Sequence, residues 1–156
     1  MSAREVRVRV ASVGDAEMLA QLRFDLRSSF LGVDESEAEF VARCAAWMRE
    51  RLRDDASWRC WIAEIDSTAI GSIWVQLIEK IPNPIAEPES YAYLTNFFVS
   101  EEYRGEGAGT MLLAEALAWS RSKAAEVVLL RPTERSKPLY LRHGFVPADD
   151  FMELVL

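Results

Sequence analysis

Hydrophobic and polar residues alternate in several short segments of the chain, which is the pattern of strands with one buried face. The first such segment, residues 6–10, alternates valine with arginine. Residues 127–130 are continuously apolar, and this pattern predicts a strand buried on both faces. A short polar connection between two of the segments predicts a hairpin. The predicted strands are residues 6–10, 58–65, 70–81, 91–99, 127–130 and 151–156.

Other segments carry apolar residues three and four positions apart, which is the spacing of an amphipathic helix. Ser12 and Asp15 have the spacing of a capping box and predict a helix whose apolar stripe runs to Phe30. Ser36 and Glu39 predict the start of a second helix in the same way. Two further helices are predicted at residues 109–123 and 134–143.

The order of these elements is β-α-α-β-β-β-α-β-α-β, which predicts an α/β fold with a mixed sheet. Residues 91–99, 109–123 and 127–130 form a βαβ unit, whose strands should be parallel and whose crossover should be right-handed. Residues 82–89 contain three prolines and predict a loop, and a loop beside a sheet can border a binding site. The length of 156 residues fits a single domain over residues 1–156.

The composition argues against several classes of protein. Hydrophobic residues make up 50% of the chain and charged residues 28%, an ordinary globular balance. The net charge of −7 argues against a nucleic-acid partner, because phosphate binding needs a basic excess. No apolar run approaches the roughly 20 residues that span a bilayer, and residues 1–6 lack the apolar stretch of a signal peptide. We therefore expect a cytoplasmic protein with no membrane partner.

Two cysteines, Cys44 and Cys60, and one histidine, His143, are too few for a zinc site, so no metal is expected. A disulfide between the two cysteines is conceivable. In a chain of this length, however, two cysteines more often act as small buried hydrophobic side chains.

A glycine-rich segment lies between the predicted strand 91–99 and the predicted helix 109–123. Glycines at alternate positions allow the backbone to approach a ligand closely, and the start of the helix adds unpaired N–H groups and the positive end of the helix dipole. A phosphate or pyrophosphate is therefore favoured here. The spacing matches neither a Walker loop nor the Gly-x-Gly-x-x-Gly dinucleotide motif. The segment consists of Arg104, Gly105, Glu106, Gly107, Ala108, Gly109 and Thr110.

Arg104-x-x-Gly107-x-Gly109 resembles the acyl-CoA pyrophosphate signature of the GNAT superfamily of N-acetyltransferases. The run from Tyr140 to Phe145 is similar to the family's Tyr-x-x-x-Gly-Phe segment, and the order of elements along the whole chain also resembles the family. The resemblance implies a single-domain GNAT-like fold, with a mixed, mostly antiparallel sheet, helices on both faces and a parallel βαβ unit whose strands splay apart. It also implies acetyl-CoA as the co-substrate.

The same resemblance implies where acetyl-CoA lies. The pantetheine arm would pair with the backbone of Phe97, Phe98 and Val99 like an added strand, and the N–H groups of residues 104–110 would surround the pyrophosphate. A backbone N–H near Val99 could polarise the thioester oxygen. Tyr140 is the candidate general acid for the leaving thiolate, because its ordinary pKa of about 10 keeps it protonated at neutral pH.

The acceptor side is predicted from alternation along the strands. Tyr93 and Thr95 share one face of strand 91–99, and Trp74 lies on the hairpin strand, so these three are the predicted substrate-binding residues. In spermidine/spermine acetyltransferases, whose strand this one resembles, acidic residues stand at the positions of Thr95 and Asn96. Their absence argues against a polyamine acceptor and leaves the general base unassigned.

Three functions from different classes are open on this sequence. The leading one is an acetyl-CoA-dependent N-acetyltransferase that acts on a small primary amine or a peptide amine. The alternatives are a catalytically idle acyl-CoA-binding or sensor module, and a protein-interaction domain that no longer binds CoA. Tyr140 argues against the first alternative, and the intact segment from Arg104 to Gly109 argues against the second. A homodimer is common in the family and is a possible state here.

Overall fold

The computed structural model describes residues 4–53 and 56–156 and contains a sheet of five strands. The strands are β1 (Arg7–Val10), β2 (Trp58–Ile65), β3 (Thr68–Glu79), β4 (Ser90–Val99) and β5 (Val128–Leu129). The helices are α1 (Ala16–Ser28), α2 (Glu37–Arg53), α3 (Ala108–Ser122) and α4 (Lys137–Arg142). Neighbouring strands follow chain order; β1 to β4 are antiparallel and β5 runs parallel to β4, which confirms the predicted mixed sheet. The sequence predicts no signal peptide in residues 1–6. Residues 1–3 of that segment lie outside the described residues.

Local sequence signals explain where the first helices begin. Ser12 donates its backbone N–H to the Asp15 carboxylate at 2.7 Å, and the chain passes through a 3₁₀ turn into α1. Ser36 and Glu39 exchange backbone-to-side-chain hydrogen bonds of 3.1 and 3.2 Å at the start of α2. Both predicted capping boxes are therefore confirmed. The two residues between β2 and β3 have positive φ, as a two-residue hairpin turn requires, and the predicted hairpin is confirmed as well.

Hydrophobic side chains form a core on each face of the sheet. On one face, α3 packs a buried stripe that includes Leu112 and Leu113 against Ile73 of β3. On the other face, α1 and α2 cover residues of β2 and β3, among them Trp74. Both cysteines are free thiols on this second face, and Cys60 is fully buried as a small hydrophobic side chain. Throughout the described ranges, each helix is too short or too polar to cross a membrane.

Two predictions about buried faces are wrong. The helix α1 ends at Ser28, so Phe30 lies beyond it and is 71% exposed instead of extending the apolar stripe. Among the described strands, β5 lies at the edge of the sheet and pairs only with β4, so it is half-buried rather than buried on both faces. A continuous apolar run indicates burial, but it carries no information on whether another strand lies beyond it.

The predicted final strand, residues 151–156, is also wrong. These residues form no strand, and Met152 is 100% exposed. The segment is tied to the chain that follows β5 by an ion pair between Arg131 and Glu153 at 2.8 Å. A high β-propensity describes how well side chains fit a pleated surface, and a strand forms only where a neighbouring edge provides hydrogen bonds. The helix predicted at 134–143 is confirmed in a shorter form, as α4.

A bulge in β4 sets which side chains reach which face of the sheet. Trp74 lies opposite Thr95, but Ser72 lies opposite Phe98, so β4 carries one residue more than β3 in this interval. Asn96 in the bulge has a φ of 50°, the left-handed region that asparagine tolerates better than most residues. A bulge of this kind re-aims the residues that follow it. The alternation of the strand is therefore reset just before its last residues.

Replacing Gly71 with alanine should destabilise the fold at this bulge. A Cβ at Gly71 would lie 2.5 Å from the carbonyl oxygen of Phe98, and a backbone atom cannot move aside as a flexible side chain would. We expect a loss of about 1–3 kcal/mol in the free energy of unfolding, measured from urea denaturation curves. Gly32→Ala is the control, because no atom of the described residues lies within 4 Å of the added methyl group there. Equal stability of the two variants would contradict the close packing at Gly71.

Candidate functional site

The strands β4 and β5 separate after a short stretch of pairing. They pair only at Ala92–Val128 and Tyr93–Leu129, whereas β4 continues to Val99. Ser100 donates its N–H to the carbonyl oxygen of Ile70 at 2.7 Å, towards β3. Because backbone groups alternate in direction along a strand, the N–H of Val99 points to the opposite side, where β5 has ended. The sheet thus has an opening beside the end of β4.

A turn rich in unpaired N–H groups follows β4 directly. Gly105 and Gly107 have φ values of 84° and 89°, the left-handed region in which glycine has no steric cost, and α3 begins immediately after Gly107. Within the described part of the chain, the N–H groups of residues 105–110 have no hydrogen-bond acceptor. These donors and the positive end of the α3 dipole favour an anion at this position.

Arg104 contributes to the turn differently from the prediction. Its backbone N–H, which was expected to join the donors of the turn, instead donates to the carbonyl oxygen of Glu101 at 3.2 Å. Its side-chain Nε donates to the carbonyl oxygen of Val99, also at 3.2 Å. The guanidinium therefore connects the last residue of β4 to the turn and keeps its terminal nitrogens available to a ligand.

The turn, the end of β4 and α4 meet at Gly109. A Cβ at Gly109 would lie 3.6 Å from Cζ of Phe97 and 3.9 Å from the side chains of both Leu139 and Val99. The ring of Phe97 in turn packs on Tyr140, with 6.2 Å between the ring centroids. The bulge makes this possible, because it directs Phe97 and Val99 to the α3 side of the sheet. A small residue at position 109 allows these elements to approach each other.

Aromatic contacts and a helix-end hydrogen bond position Tyr140 in this part of the site. Its ring makes an edge contact with Phe145 at 5.5 Å, and its carbonyl oxygen accepts the N–H of Phe145 at 3.1 Å across the left-handed Gly144. Burial raises the pKa of Tyr140 to about 12. The hydroxyl makes no hydrogen bond to any other residue that the structure describes. Tyr140 is therefore a protonated donor without an intramolecular acceptor.

A cavity of about 430 Å³ lies on the other face of the sheet, under α1 and α2. Of the predicted substrate-binding residues, Trp74 and Thr95 line it, and Tyr93 does not. Its walls are largely aromatic, from Phe40, Trp47, Trp58 and Trp74. Its polar rim includes Arg23, Arg43 and Asn96.

In residues 4–53 and 56–156, no group of three or more His, Cys, Asp or Glu side chains could hold a metal ion.

Arg23 and Asn96 are residues that sequence reasoning missed. Arg23 Nη1 donates to the side-chain carbonyl oxygen of Asn96 at 2.8 Å and so connects α1 to the bulge of β4. Desolvation by burial lowers the pKa of Arg23 from its ordinary value. One signal could have found it, since Arg23 follows the buried Leu19 by four positions and shares its helical face.

Comparisons with known proteins agree with this geometry. The model of the acetyltransferase (GNAT) family matches residues 19–145. A protein described as uncharacterized N-acetyltransferase YobR, from Bacillus subtilis (strain 168), is 32% identical over 65 residues; the match spans 40% of this chain and 26% of that protein's length.

Two solved structures share the fold across nearly the whole chain. A predicted acetyltransferase from Clostridium acetobutylicum, determined with acetyl-CoA, has a TM-score of 0.81 at 19% identity, over 97% of this chain and 96% of that one. A GCN5-related N-acetyltransferase from Ralstonia eutropha JMP134 has a TM-score of 0.75 at 22% identity, over 97% of this chain and 99% of that one.

Proposed function

The chain belongs to the acetyltransferase (GNAT) family, and from this premise we propose that it transfers an acetyl group from acetyl-CoA to a primary amine of a small molecule or peptide. The observation that carries the proposal is the turn of residues 105–110, whose unpaired N–H groups follow the opening beside β4, while Tyr140 packs on Phe97 of the same strand. The proposed enzyme is cytoplasmic, uses no metal and can form a homodimer.

The residues present fit acetyl-CoA as a co-substrate. The N–H groups of Gly105, Glu106, Gly107, Ala108, Gly109 and Thr110 would bind the pyrophosphate, assisted by the Arg104 guanidinium. The backbone of Phe97 and Val99 would hold the pantetheine arm in the opening, as a strand edge holds an extended peptide. Phe98 would contribute less, because it lies opposite Ser72 and its backbone groups are directed to β3.

When bound, acetyl-CoA supplies an acetyl group activated as a thioester. The Val99 N–H would polarise the acetyl oxygen, as an oxyanion donor does. The amine nitrogen forms the new C–N bond and loses a proton to solvent, and the C–S bond breaks. Tyr140 donates a proton to the departing sulfur and regains one from solvent, so that protons balance. Trp74, Thr95 and Tyr93 are proposed to contact the acceptor amine.

The proposal is tested first by calorimetric titration with acetyl-CoA, with ADP as a control that carries the pyrophosphate but no pantetheine arm. We expect a Kd of about 1 µM, which corresponds to about 8 kcal/mol of binding free energy, and weaker binding of ADP. Release of the CoA thiol is then followed with a panel of primary amines. Binding without thiol release from any amine would instead identify an acyl-CoA sensor module. Absence of binding would overturn the assignment of the turn and favour a protein-interaction domain.

A further inference from the structure

The cavity under α1 and α2 combines an apolar wall with unpaired hydrogen-bond donors. Trp47, Trp58 and Trp74 pack against one another with ring centroids 5.1 to 6.1 Å apart, so that the wall is a continuous aromatic surface. Trp74 is only 2% exposed, and its Nε1 is a buried donor with no partner among the described residues. A buried donor without an acceptor carries a desolvation cost.

The charges that line the cavity are positive. Arg23 is half-buried. Among the described residues, the hydrogen-bond partner of its side chain is the neutral side chain of Asn96. Arg43 also lines the cavity, although Glu35 pairs with it from outside the lining. No aspartate or glutamate is among the lining residues that the structure describes. A half-buried guanidinium without a carboxylate partner is costly, and a planar anion matches its fork of donors.

We propose that this cavity binds the acceptor amine and that the acceptor is an aromatic amino carboxylate, such as an aromatic α-amino acid. This inference rests on the proposed function. The carboxylate of the acceptor pairs with Arg23, and its aromatic body lies against Trp47, Trp58 and Trp74. A purely cationic acceptor, held against the tryptophan faces, would bring its charge close to Arg23, whose hydrogen-bond partner Asn96 is neutral and offsets none of the repulsion.

The position of the cavity suits transfer to such an acceptor. Thr95 and Asn96 line the cavity, and Val99 lies three residues further along the same strand. At a rise of about 3.3 Å per residue, the cavity therefore ends within about 10 Å of the Val99 N–H. An amine next to a carboxylate bound at Arg23 and Asn96 would face the opening between β4 and β5. The aromatic body would extend the other way, under α2.

The first test compares three acceptors that share an aromatic body and a primary amine. L-Phenylalanine carries the carboxylate, L-phenylalaninamide carries an uncharged amide, and phenethylamine carries neither. We expect kcat/KM, measured by CoA thiol release, to be at least about 10-fold higher for L-phenylalanine, which corresponds to about 1.4 kcal/mol from the carboxylate. Equal or higher values for phenethylamine, or turnover of aliphatic diamines alone, would overturn the inference and leave the acetyltransferase proposal intact.

The second test changes the protein. Arg23→Gln keeps a side chain able to bond Asn96 but removes the charge, and we expect the preference for L-phenylalanine over phenethylamine to fall to near unity. Arg27→Gln is the matched control, because Arg27 lies one turn further along α1, is exposed and does not line the cavity. A preference that survives in Arg23→Gln would contradict the role of Arg23.

A binding measurement separates this inference from the proposed function. N-acetyl-L-phenylalanine and N-acetylphenethylamine are titrated while tryptophan fluorescence is followed, since three tryptophans line the cavity. We expect the carboxylate-bearing compound to bind at least about 10-fold more tightly in the wild type and not in Arg23→Gln. If this preference is seen but no acetyl transfer is detected, the assignment of the cavity stands and the proposed acetyltransferase function is overturned. If acetyl transfer is detected but the preference is absent, the proposed function stands and the assignment of the cavity is overturned.

Discussion

Replacing Gly107 with valine should raise the Kd for acetyl-CoA about 100-fold or more. Gly107 has a φ of 89° immediately before α3, and an L-residue there is strained by roughly 1–3 kcal/mol. No atom of residues 4–53 or 56–156 lies within 4 Å of the added Cβ, so the side chain would project into the space that the proposed pyrophosphate needs. Each hydrogen bond to a charged group contributes about 1.5–3 kcal/mol, so the loss of about two such bonds to the pyrophosphate accounts for a rise in Kd of about 100-fold.

The control for Gly107→Val is Gly144→Val. Gly144 has a φ of 88°, and within the part of the chain that the structure describes no atom lies within 4 Å of an added Cβ, so its backbone strain is matched while the turn is untouched. Both variants should lower the melting temperature by a similar amount. Calorimetry should then detect a loss of affinity in Gly107→Val that Gly144→Val does not share. Unaltered affinity in a folded Gly107→Val protein would mean that the phosphates bind elsewhere.

The parts of the fold that could be predicted are those with a local chemical cause. The capping boxes at Ser12 and Ser36 depend on residues three positions apart, and the hairpin depends on two turn residues. The prediction of a final strand, 151–156, failed because a strand needs a partner edge, and β-propensity does not carry that information. The edge position of β5 was missed for the same reason.

The two halves of the site differ in the same way. The turn could be predicted because glycine adopts positive φ without steric cost, as Gly105 and Gly107 do, and such glycines can be recognised in the sequence. The cavity could not, because Arg23 and Asn96 meet across 73 positions of sequence. The bulge at Asn96 also shifts the alternation of β4, and no glycine or proline in this part of the strand indicates the shift in the sequence.

The separation of these halves by the sheet has a chemical consequence. Phe97 and Val99 belong to the face that carries α3 and Tyr140, whereas Thr95 and Asn96 line the cavity on the opposite face. The bulge between them is what allows one strand to contribute to both. In the proposed reaction, residues on opposite faces of the sheet would thus contact the acceptor amine and the CoA thiol. The two reactants would meet only at the opening where β5 has ended.

Replacing Tyr140 with phenylalanine should lower kcat about 100-fold, the lower end of the usual range for a general acid. The lower end applies because burial raises the pKa of Tyr140 to about 12. Transfer of its proton to a thiolate of ordinary pKa, about 8.5, is then uphill by about 5 kcal/mol, so donation must accompany departure of the sulfur. The pH profile of kcat should keep its shape between pH 6 and 10, since a hydroxyl with the raised pKa stays protonated throughout.

The affinity for acetyl-CoA, measured by calorimetry, should change little in Tyr140→Phe, and so should stability, because the hydroxyl bonds to no other described residue. Tyr91→Phe is the matched control: Tyr91 lies at the start of β4, with Lys80 Nζ 5.4 Å from its ring centroid, and it lines neither the turn nor the cavity. Its turnover should equal that of the wild type. If Tyr140→Phe also kept full turnover, solvent would have to protonate the sulfur unaided, and Tyr140 would serve only to pack α4 against Phe97.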